Sequence, residues 1–255
     1  MGVDIERLVP ARLGSFDGSR GLQGRGFQVA ETRGPPGRAT GPSEFAGWEE
    51  WYLRRDHRQM PWFSNRPSPW VVRSVREKHV APGSRVLDVG CGTGSTALWL
   101  SCHGFDTSGL DVSPTAIQIA RSRAHHAGLG IDLQVASVDQ MPFKRGEFDF
   151  AIDTGCFHSI PMRLREPYAK EIARVIRPDG RLLLTWIPRE VGTALGPPHR
   201  PSLAETASVF ERWFVFVEVH WYASGSREGW KVYRERMGRC TALLVRRRGR
   251  QPRPR

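Results

Sequence analysis

The chain has 255 residues, enough for one domain with a full hydrophobic core, and its formal net charge is +12. No run of about 18 apolar residues occurs, and the first residues lack the apolar stretch of a secretion signal, so we expect neither a membrane span nor export. The four cysteines show neither the paired spacing of a metal site nor a disulfide-rich pattern, which predicts a cytoplasmic protein without a bound metal.

The two ends of the chain differ in composition from the middle. Residues 1–43 are rich in Gly, Arg, Pro and Ser without an apolar period, and residues 246–255 contain six arginines. Such segments bury too little apolar surface to fold, so we predict a disordered arm, a folded domain over residues 44–245 and a disordered basic tail. Because much of the positive charge lies in these ends, we do not expect nucleic acid as a partner.

The folded region alternates between short β-branched runs and amphipathic stretches. Two short helices around a Pro-rich turn come first, the second over about 69–79. Four further helices are predicted over 95–103, 114–128, 164–176 and 203–212, and the one over 164–176 ends before Pro178-Asp179-Gly180. Strands are predicted over 85–90, up to 112, 131–138, 148–153, 181–187, 214–220 and 241–246. This order predicts an α/β fold with a doubly wound, mostly parallel sheet of seven strands.

The first candidate site is the loop after strand one, because ligands of such sheets lie beyond the carboxyl ends of the strands. The run begins at Asp88 and contains Gly90, Gly92 and Gly94. Glycines allow a tight turn and close approach of a ligand, and an acid inside the strand can orient the loop and an ammonium group. Ser95 stands where the nicotinamide dinucleotide pattern has its last glycine, which disfavours a dehydrogenase.

Three further aspartates are predicted at strand ends: Asp111 at strand two, Asp139 at strand three and Asp153 at strand four. A carboxylate at the place of Asp111 can accept hydrogen bonds from both hydroxyls of a ribose, as in NAD-binding folds. Each acid alone could equally be a helix cap or a turn former. Acids at four successive strand ends beside a glycine loop nevertheless predict one common ligand cleft.

The run from Asp88 to Gly94 resembles motif I of the class I S-adenosylmethionine (SAM)-dependent methyltransferases. Residues 51–69 are similar to the N-terminal helical lid of the thiopurine and tellurite-resistance methyltransferases, and residues 153–158, 177–180 and 196–198 are similar to the same group. Phe63 departs from the lid pattern, which usually has an acid there, and Asp179 replaces a common glycine. The resemblance implies SAM as cofactor and a small-molecule acceptor, whether thiol, chalcogen, hydroxyl or amine.

The resemblance also implies roles for individual residues. Cofactor contacts are expected from Asp88, Gly90, Cys91, Gly92, Gly94, Asp111, Val112, Asp139 and Asp153. In that arrangement the glycines lie along the methionine and ribose, Asp111 on the ribose, Asp139 near the adenine, and Asp88 and Asp153 at the amino-acid end. The acceptor pocket is expected from Trp51, Trp62, Phe157, His158 and Arg165.

The catalytic candidates are His158 and Asp153. Imidazole titrates near neutrality, so His158 could accept a proton from a thiol or hydroxyl, or it could only pack and cap its loop. Trp51 and Trp62 could equally be core anchors.

Two other functions fit parts of the pattern, a nucleic-acid methyltransferase that uses the basic tails and a non-catalytic SAM-binding protein. The first is disfavoured because residues 153–156 lack the Asn/Asp-Pro-Pro-aromatic run of base-amine enzymes, the second because the glycines and all four acids are intact. We expect a monomer or a homodimer.

Overall fold

The structure of the protein, a computed structural model, describes residues 46–60, 62–189, 199–223 and 238–246. The arm predicted over residues 1–43, the motif at 196–198 and all of the basic tail except Arg246 lie outside the described residues. The elements below are those of the described part of the chain.

Six α-helices and seven β-strands alternate as the sequence predicts. The helices are α1 Ala46–Arg54, α2 Pro69–Arg76, α3 Ser95–Cys102, α4 Pro114–His126, α5 Arg165–Val175 and α6 Leu203–Phe210. The strands are β1 Arg85–Val89, β2 Asp106–Asp111, β3 Asp132–Val135, β4 Phe148–Asp153, β5 Ile176–Trp186, β6 Phe214–Ala223 and β7 Gly238–Arg246. Short 3-10 helices occupy His57–Gln59, Phe157–Ser159 and Met162–Leu164.

The strands form one sheet in the order β3-β2-β1-β4-β5-β7-β6. Strands β1 to β5 pair in parallel, and β7 runs antiparallel between β5 and β6. The predicted doubly wound, mostly parallel sheet of seven strands is confirmed. The strand order reverses between β1 and β4, and in such sheets this switch point positions the ligand cleft at the carboxyl ends of the two strands.

Both faces of the sheet are buried, because successive residues of a strand point to opposite sides. Leu87 and Ala151 face the large core that α5 and α6 cover. Their neighbours Val86 and Ile152 face a second core under α2 and α3. The continuous apolar runs of β1 and β4 follow from this two-sided burial, and they fix the rim where the site lies.

Helix α4 begins and ends where the sequence predicts. Ser113 is its N-cap and accepts a hydrogen bond at Oγ from the Ala116 N–H (3.0 Å), while Pro114 occupies the first turn, where its missing N–H costs nothing. The helix ends at His126, and Gly128 follows with a φ of +66°. The turn after β2 therefore leads directly into the N-terminus of α4.

Two predicted boundaries are wrong. Strand β3 ends at Val135, because residues 137–140 form a turn closed by the Gln140 N–H and the Ser137 carbonyl (3.1 Å), so Asp139 does not close a strand. Helix α5 ends at Val175 and β5 begins directly at Ile176, rather than after residues 178–180. Those residues form an irregularity within β5, between the pairs Phe148–Ile176 and Phe150–Arg181.

Candidate functional site

The glycine loop follows β1 at the switch point of the sheet. Gly90 and Gly92 have φ values of +64° and +53°, a left-handed conformation that glycine adopts easily and other residues rarely do. A Cβ on Gly90 would lie 2.6 Å from Cys156 Cβ, and one on Gly92 would lie 2.9 Å from the Tyr52 hydroxyl. Gly94 is the N-cap of α3. Backbone and packing therefore both require glycine in this loop.

Two of the predicted aspartates tie the loop to its neighbours. Asp88, inside β1, accepts a hydrogen bond from the Ala97 N–H in the first turn of α3 (3.1 Å). Asp111, the last residue of β2, accepts hydrogen bonds from the N–H groups of Gly92 and Ser113, both at 2.9 Å. Both aspartates are buried. They hold the glycine loop and the turn after β2 together at one rim of the sheet.

Asp153 ends β4 and organises the loop that follows. Its Oδ1 accepts hydrogen bonds from the N–H groups of Gly155 (2.9 Å) and Cys156 (2.8 Å). Its Oδ2 accepts them from the Phe157 N–H (2.9 Å) and the Tyr168 hydroxyl (2.8 Å). Because four donors of the chain hold this fully buried carboxylate, it fixes the loop against α5.

Asp88, Asp111 and Asp153 form a cluster of buried negative charge. Burial raises the pKa of Asp88 to about 7, and repulsion from Asp153 and Asp111 adds to that shift. Burial also raises the pKa of Asp153 to about 6 and the pKa of Asp111 above its ordinary value. No ion pair among the described residues includes any of these three. A site of this kind favours a ligand that carries positive charge.

Helix α1 covers the glycine loop from one side. Tyr52 is buried with its hydroxyl against Gly92, and this hydroxyl accepts a hydrogen bond from the Trp62 indole N–H at 3.4 Å. The Trp62 ring meets Trp48 and Trp51 edge-on, with centroids 5.4 and 5.2 Å apart. Trp51 is buried, whereas Trp62 is 37% exposed. Trp51 therefore anchors the lid, and Trp62 lies at its rim.

Phe157 lies in the core rather than on an open pocket wall. Its side chain is fully buried, and its ring packs against Tyr168 and Phe210 with centroids 5.6 and 5.0 Å apart. These contacts argue against the substrate role that the sequence suggested. Phe157 instead joins the loop after β4 to α5 and α6.

Arg165 is buried at the start of α5. Its guanidinium donates a hydrogen bond to the His199 carbonyl and lies 3.5 Å from the Glu205 carboxylate. Its buried Nε–H has no hydrogen-bond partner among the described residues. Arg165 thus has a structural role and keeps one donor, so its contact with an acceptor stays a prediction.

His158 is buried in the loop after β4. Its Nδ1 accepts a hydrogen bond from the Ile187 N–H at 3.1 Å, next to the end of β5. An amide N–H only donates, so Nδ1 presents a lone pair, and in the neutral imidazole the proton is on Nε2. This bond argues against the proton-acceptor role that the sequence suggested, because the basic nitrogen is already in use.

The part of the chain that forms this rim is similar to known proteins. Residues 86–180 match the family model described as a methyltransferase domain. Over 170 residues the chain is 31% identical to the 2-heptyl-1-hydroxyquinolin-4(1H)-one methyltransferase of Mycobacteroides abscessus, covering 65% of this chain and 74% of that protein. The chain belongs to the class I SAM-dependent methyltransferases.

Further comparisons agree with this family. The methyltransferase is 34% identical over 133 residues to an uncharacterized protein of Mycobacterium bovis, covering 51% of this chain and about half, 48%, of that protein's length. A solved SAM-dependent methyltransferase of Methanosarcina mazei has the same fold, with a TM-score of 0.60, 18% identity, and coverage of 72% of this chain and 100% of that one.

SAM is the cofactor of this methyltransferase, and the residues at the rim fit it. Gly90 and Gly92 let the loop turn tightly without side chains of its own, and the Cys156 side chain and the Tyr52 hydroxyl lie against them. The buried carboxylates of Asp88, Asp111 and Asp153 match the positive ammonium and sulfonium groups of SAM in sign. The chemistry of the donor set therefore agrees with the family.

The other predicted cofactor residues of the methyltransferase, Cys91, Val112 and Asp139, lie in the loops after β1, β2 and β3. Cys91 is half-buried, and its N–H donates to the Leu110 carbonyl (2.9 Å), which joins the loop to β2. Val112 is half-buried directly after β2. Asp139 lies in the turn after β3, where it accepts a hydrogen bond from the Ser137 hydroxyl. Their contacts with the cofactor stay predictions.

Sequence reasoning placed Tyr52 in the lid without giving it a role at the site, and it missed Glu49. Tyr52 lies against the glycine loop, and Glu49 accepts hydrogen bonds from Ser113 and Thr115 at the start of α4. Their spacing of three residues places them on one face of α1. That spacing is visible in the sequence, but the elements they meet are not.

In the part of the chain that the structure describes, no group of three or more His, Cys, Asp or Glu side chains is arranged to hold a metal ion. Of the helices described, none has the length and apolar character needed to cross a membrane.

Proposed function

We propose that the protein transfers the methyl group of SAM to a small-molecule acceptor that supplies its own nucleophile, a thiol, a chalcogen or an acidic hydroxyl. The observation that carries this proposal is that both candidate bases at the rim already accept hydrogen bonds from the chain. Asp153 accepts four hydrogen bonds from the chain, and His158 Nδ1 accepts one from Ile187. Neither group is set up to remove a proton from a weakly acidic acceptor.

The chain's residues then have three tasks: binding, alignment and exclusion of water. When bound, SAM supplies a methyl group that its sulfonium has already activated. Alignment and dehydration contribute roughly 7–11 kcal/mol to such reactions in favourable cases. We assign binding to the glycine loop with Asp88 and Asp111, alignment to the loop fixed by Asp153, and exclusion of water to α1 and Trp62.

The neighbouring thiols support this assignment of roles. Burial, with the charges of nearby aspartates, raises the pKa of Cys91 and of Cys156 well above the ordinary thiol value. Both thiols are therefore uncharged at neutral pH, and only a thiolate is a strong nucleophile. The reactive anion has to arrive with the acceptor.

Two further observations favour an aromatic acceptor. Trp62 is 37% exposed, meets Trp48 and Trp51 edge-on and donates to the Tyr52 hydroxyl beside Gly92, and such a ring packs well against a flat ligand. The relative from M. abscessus is named for a quinolone with a hydroxyl on the ring nitrogen, an acceptor of this kind. Within the superfamily we place the chain with the thiopurine and tellurite-resistance type, on the motifs of its lid and of residues 153–158.

An acceptor panel with isotope-labelled SAM tests the proposal. Thiols, phenols, N-hydroxy heteroaromatics, amines and aliphatic alcohols are compared between about pH 6 and pH 9. We expect kcat/KM for thiols and acidic hydroxyls to rise with a midpoint that follows each acceptor's own pKa. A single midpoint shared by all acceptors, or a preference for aliphatic alcohols, would refute it.

The same assay distinguishes this proposal from the alternative of a nucleic-acid methyltransferase. Replacing arginines 247, 248, 250, 253 and 255 by serine should leave turnover of the small acceptor unchanged. Arg246 is kept, because its guanidinium donates a hydrogen bond to the Ala173 carbonyl. Methylation of RNA that disappears in this variant, with no activity on any small acceptor, would favour the alternative.

A further inference from the structure

We propose that Glu49 and Tyr52 form a clamp that closes α1 over the cofactor cleft, and that Glu49 is the positioning residue that sets how fast the cofactor leaves. The inference concerns the SAM site of the family and does not depend on which acceptor the enzyme uses. It combines two contacts of α1, one with the start of α4 and one with the glycine loop.

The first contact joins α1 to the start of α4. The Glu49 carboxylate accepts hydrogen bonds from the Ser113 hydroxyl, from the Thr115 hydroxyl at 2.5 Å and from the Thr115 N–H at 3.2 Å. Free N–H groups and the positive end of the helix dipole favour a carboxylate at this place. Partial burial by itself raises the pKa of Glu49, but these hydrogen bonds outweigh it and lower the pKa overall. Glu49 is therefore ionised at neutral pH.

The second contact lies one turn further along α1. Tyr52 is buried with its hydroxyl against Gly92, so it covers the glycine loop directly. Burial, reinforced by the charge of Asp111, raises the pKa of Tyr52, so the phenol stays protonated. The same face of α1 thus reaches both the loop after β1 and the turn after β2.

The two contacts meet at Asp111. The Ser113 N–H and the Gly92 N–H each donate to the Asp111 carboxylate at 2.9 Å. The Ser113 hydroxyl donates to Glu49, and the Tyr52 hydroxyl lies against Gly92. Closing the lid and orienting Asp111 are therefore one event, and a ligand bound at Asp111 leaves only when α1 lifts.

Hydrogen–deuterium exchange of the full chain without ligand tests the clamp directly. Hydrogen bonds to a charged acceptor are stronger than those to a neutral amide, so we expect Glu49→Gln to show about ten-fold faster exchange of the α1 amides. Stopped-flow fluorescence of the lid tryptophans should show S-adenosylhomocysteine leaving about ten-fold faster from this variant.

Glu50→Gln is the matched control. Glu50 is the next residue of the same helix, and it pairs with Arg54 at 2.7 Å on the exposed side. This variant should change neither exchange nor dissociation. Thr115→Val removes one partner of Glu49 and should reproduce part of the effect, whereas Thr115→Ser should restore the normal rate.

Two results would overturn the clamp. The first is a Glu49→Gln protein that melts at a lower temperature but keeps the normal dissociation rate, because Glu49 would then only cap α4. The second is an equal effect of Glu50→Gln, because general loosening of α1 would then explain both. If Glu49→Gln fails to fold, the two Thr115 variants decide the question by the same two measurements.

Discussion

Replacing Gly92 by alanine tests how closely the lid fits the glycine loop. The φ of +53° at this residue costs an L-amino acid about 1–2 kcal/mol. The new Cβ would also stand 2.9 Å from the Tyr52 hydroxyl, closer than van der Waals contact. Overpacking of this kind costs about 1–3 kcal/mol, so we expect Gly92→Ala to lose about 3 kcal/mol of unfolding free energy in total.

Thermal unfolding followed by circular dichroism measures this loss. For a protein of this size, about 3 kcal/mol lowers Tm by roughly 6–12 °C. The double variant Gly92→Ala/Tyr52→Phe lacks the hydroxyl that the new methyl group meets, so it should regain the overpacking part and keep only the backbone cost. If the double variant is as unstable as the sum of the two single variants, Tyr52 does not lie on Gly92, and the closed lid is refuted.

Three further predictions concern the rim. Folding raises the pKa of Asp88 to about 7 and that of Asp153 to about 6, so without ligand the folded protein should lose stability between about pH 4 and pH 7. In urea unfolding Asp88→Asn should flatten this fall, and stability that rises with pH would contradict it. Asp111→Ala should weaken SAM binding in calorimetry about ten-fold or more, since two N–H groups lose their acceptor. His158→Asn keeps an acceptor for the Ile187 N–H, so kcat/KM should fall less than about three-fold, whereas loss of a general base costs about 100-fold or more.

Local patterns made much of the fold predictable. The run from Arg85 to Gly94 combines an apolar strand with three glycines at fixed spacing, so both β1 and its loop are fixed by neighbouring residues. Ser113 and Pro114 mark the start of α4 in the same local way. The burial of Asp88, Asp111 and Asp153 at one rim then follows from the parallel order of strands β1, β2 and β4.

The two wrong boundaries described above lie at β3 and between α5 and β5. The apolar residues up to Val138 resemble a longer β3, but the turn at residues 137–140 ends the strand. Gly180 lies in the irregular part of β5, where a Cβ would stand 2.5 Å from Ile176 Cγ2 and 2.9 Å from the Asp149 carbonyl of β4. The contact with Asp149 depends on the pairing of β4 with β5, which the residues around 180 do not show.

The roles of the site residues also depend on partners that are distant in the chain. The type of a residue suggested that His158 is a base, but its partner Ile187 lies 29 residues further along the chain. The partners of Glu49 are Ser113 and Thr115, 64 and 66 residues away. Local patterns therefore predicted that the glycine loop and three aspartates meet at one rim, whereas the hydrogen-bond partners of His158 and Glu49 required the folded chain.

The buried aspartates also affect product release after each turnover. Methyl transfer leaves the sulfur of the nucleotide uncharged, so the spent molecule offers Asp88, Asp111 and Asp153 one positive charge fewer than the fresh one did. In a site shielded from water, losing that attraction weakens retention much more than it would at the surface. With the cofactor at the rim as proposed, we therefore expect the three aspartates to retain the product less strongly than the methyl donor.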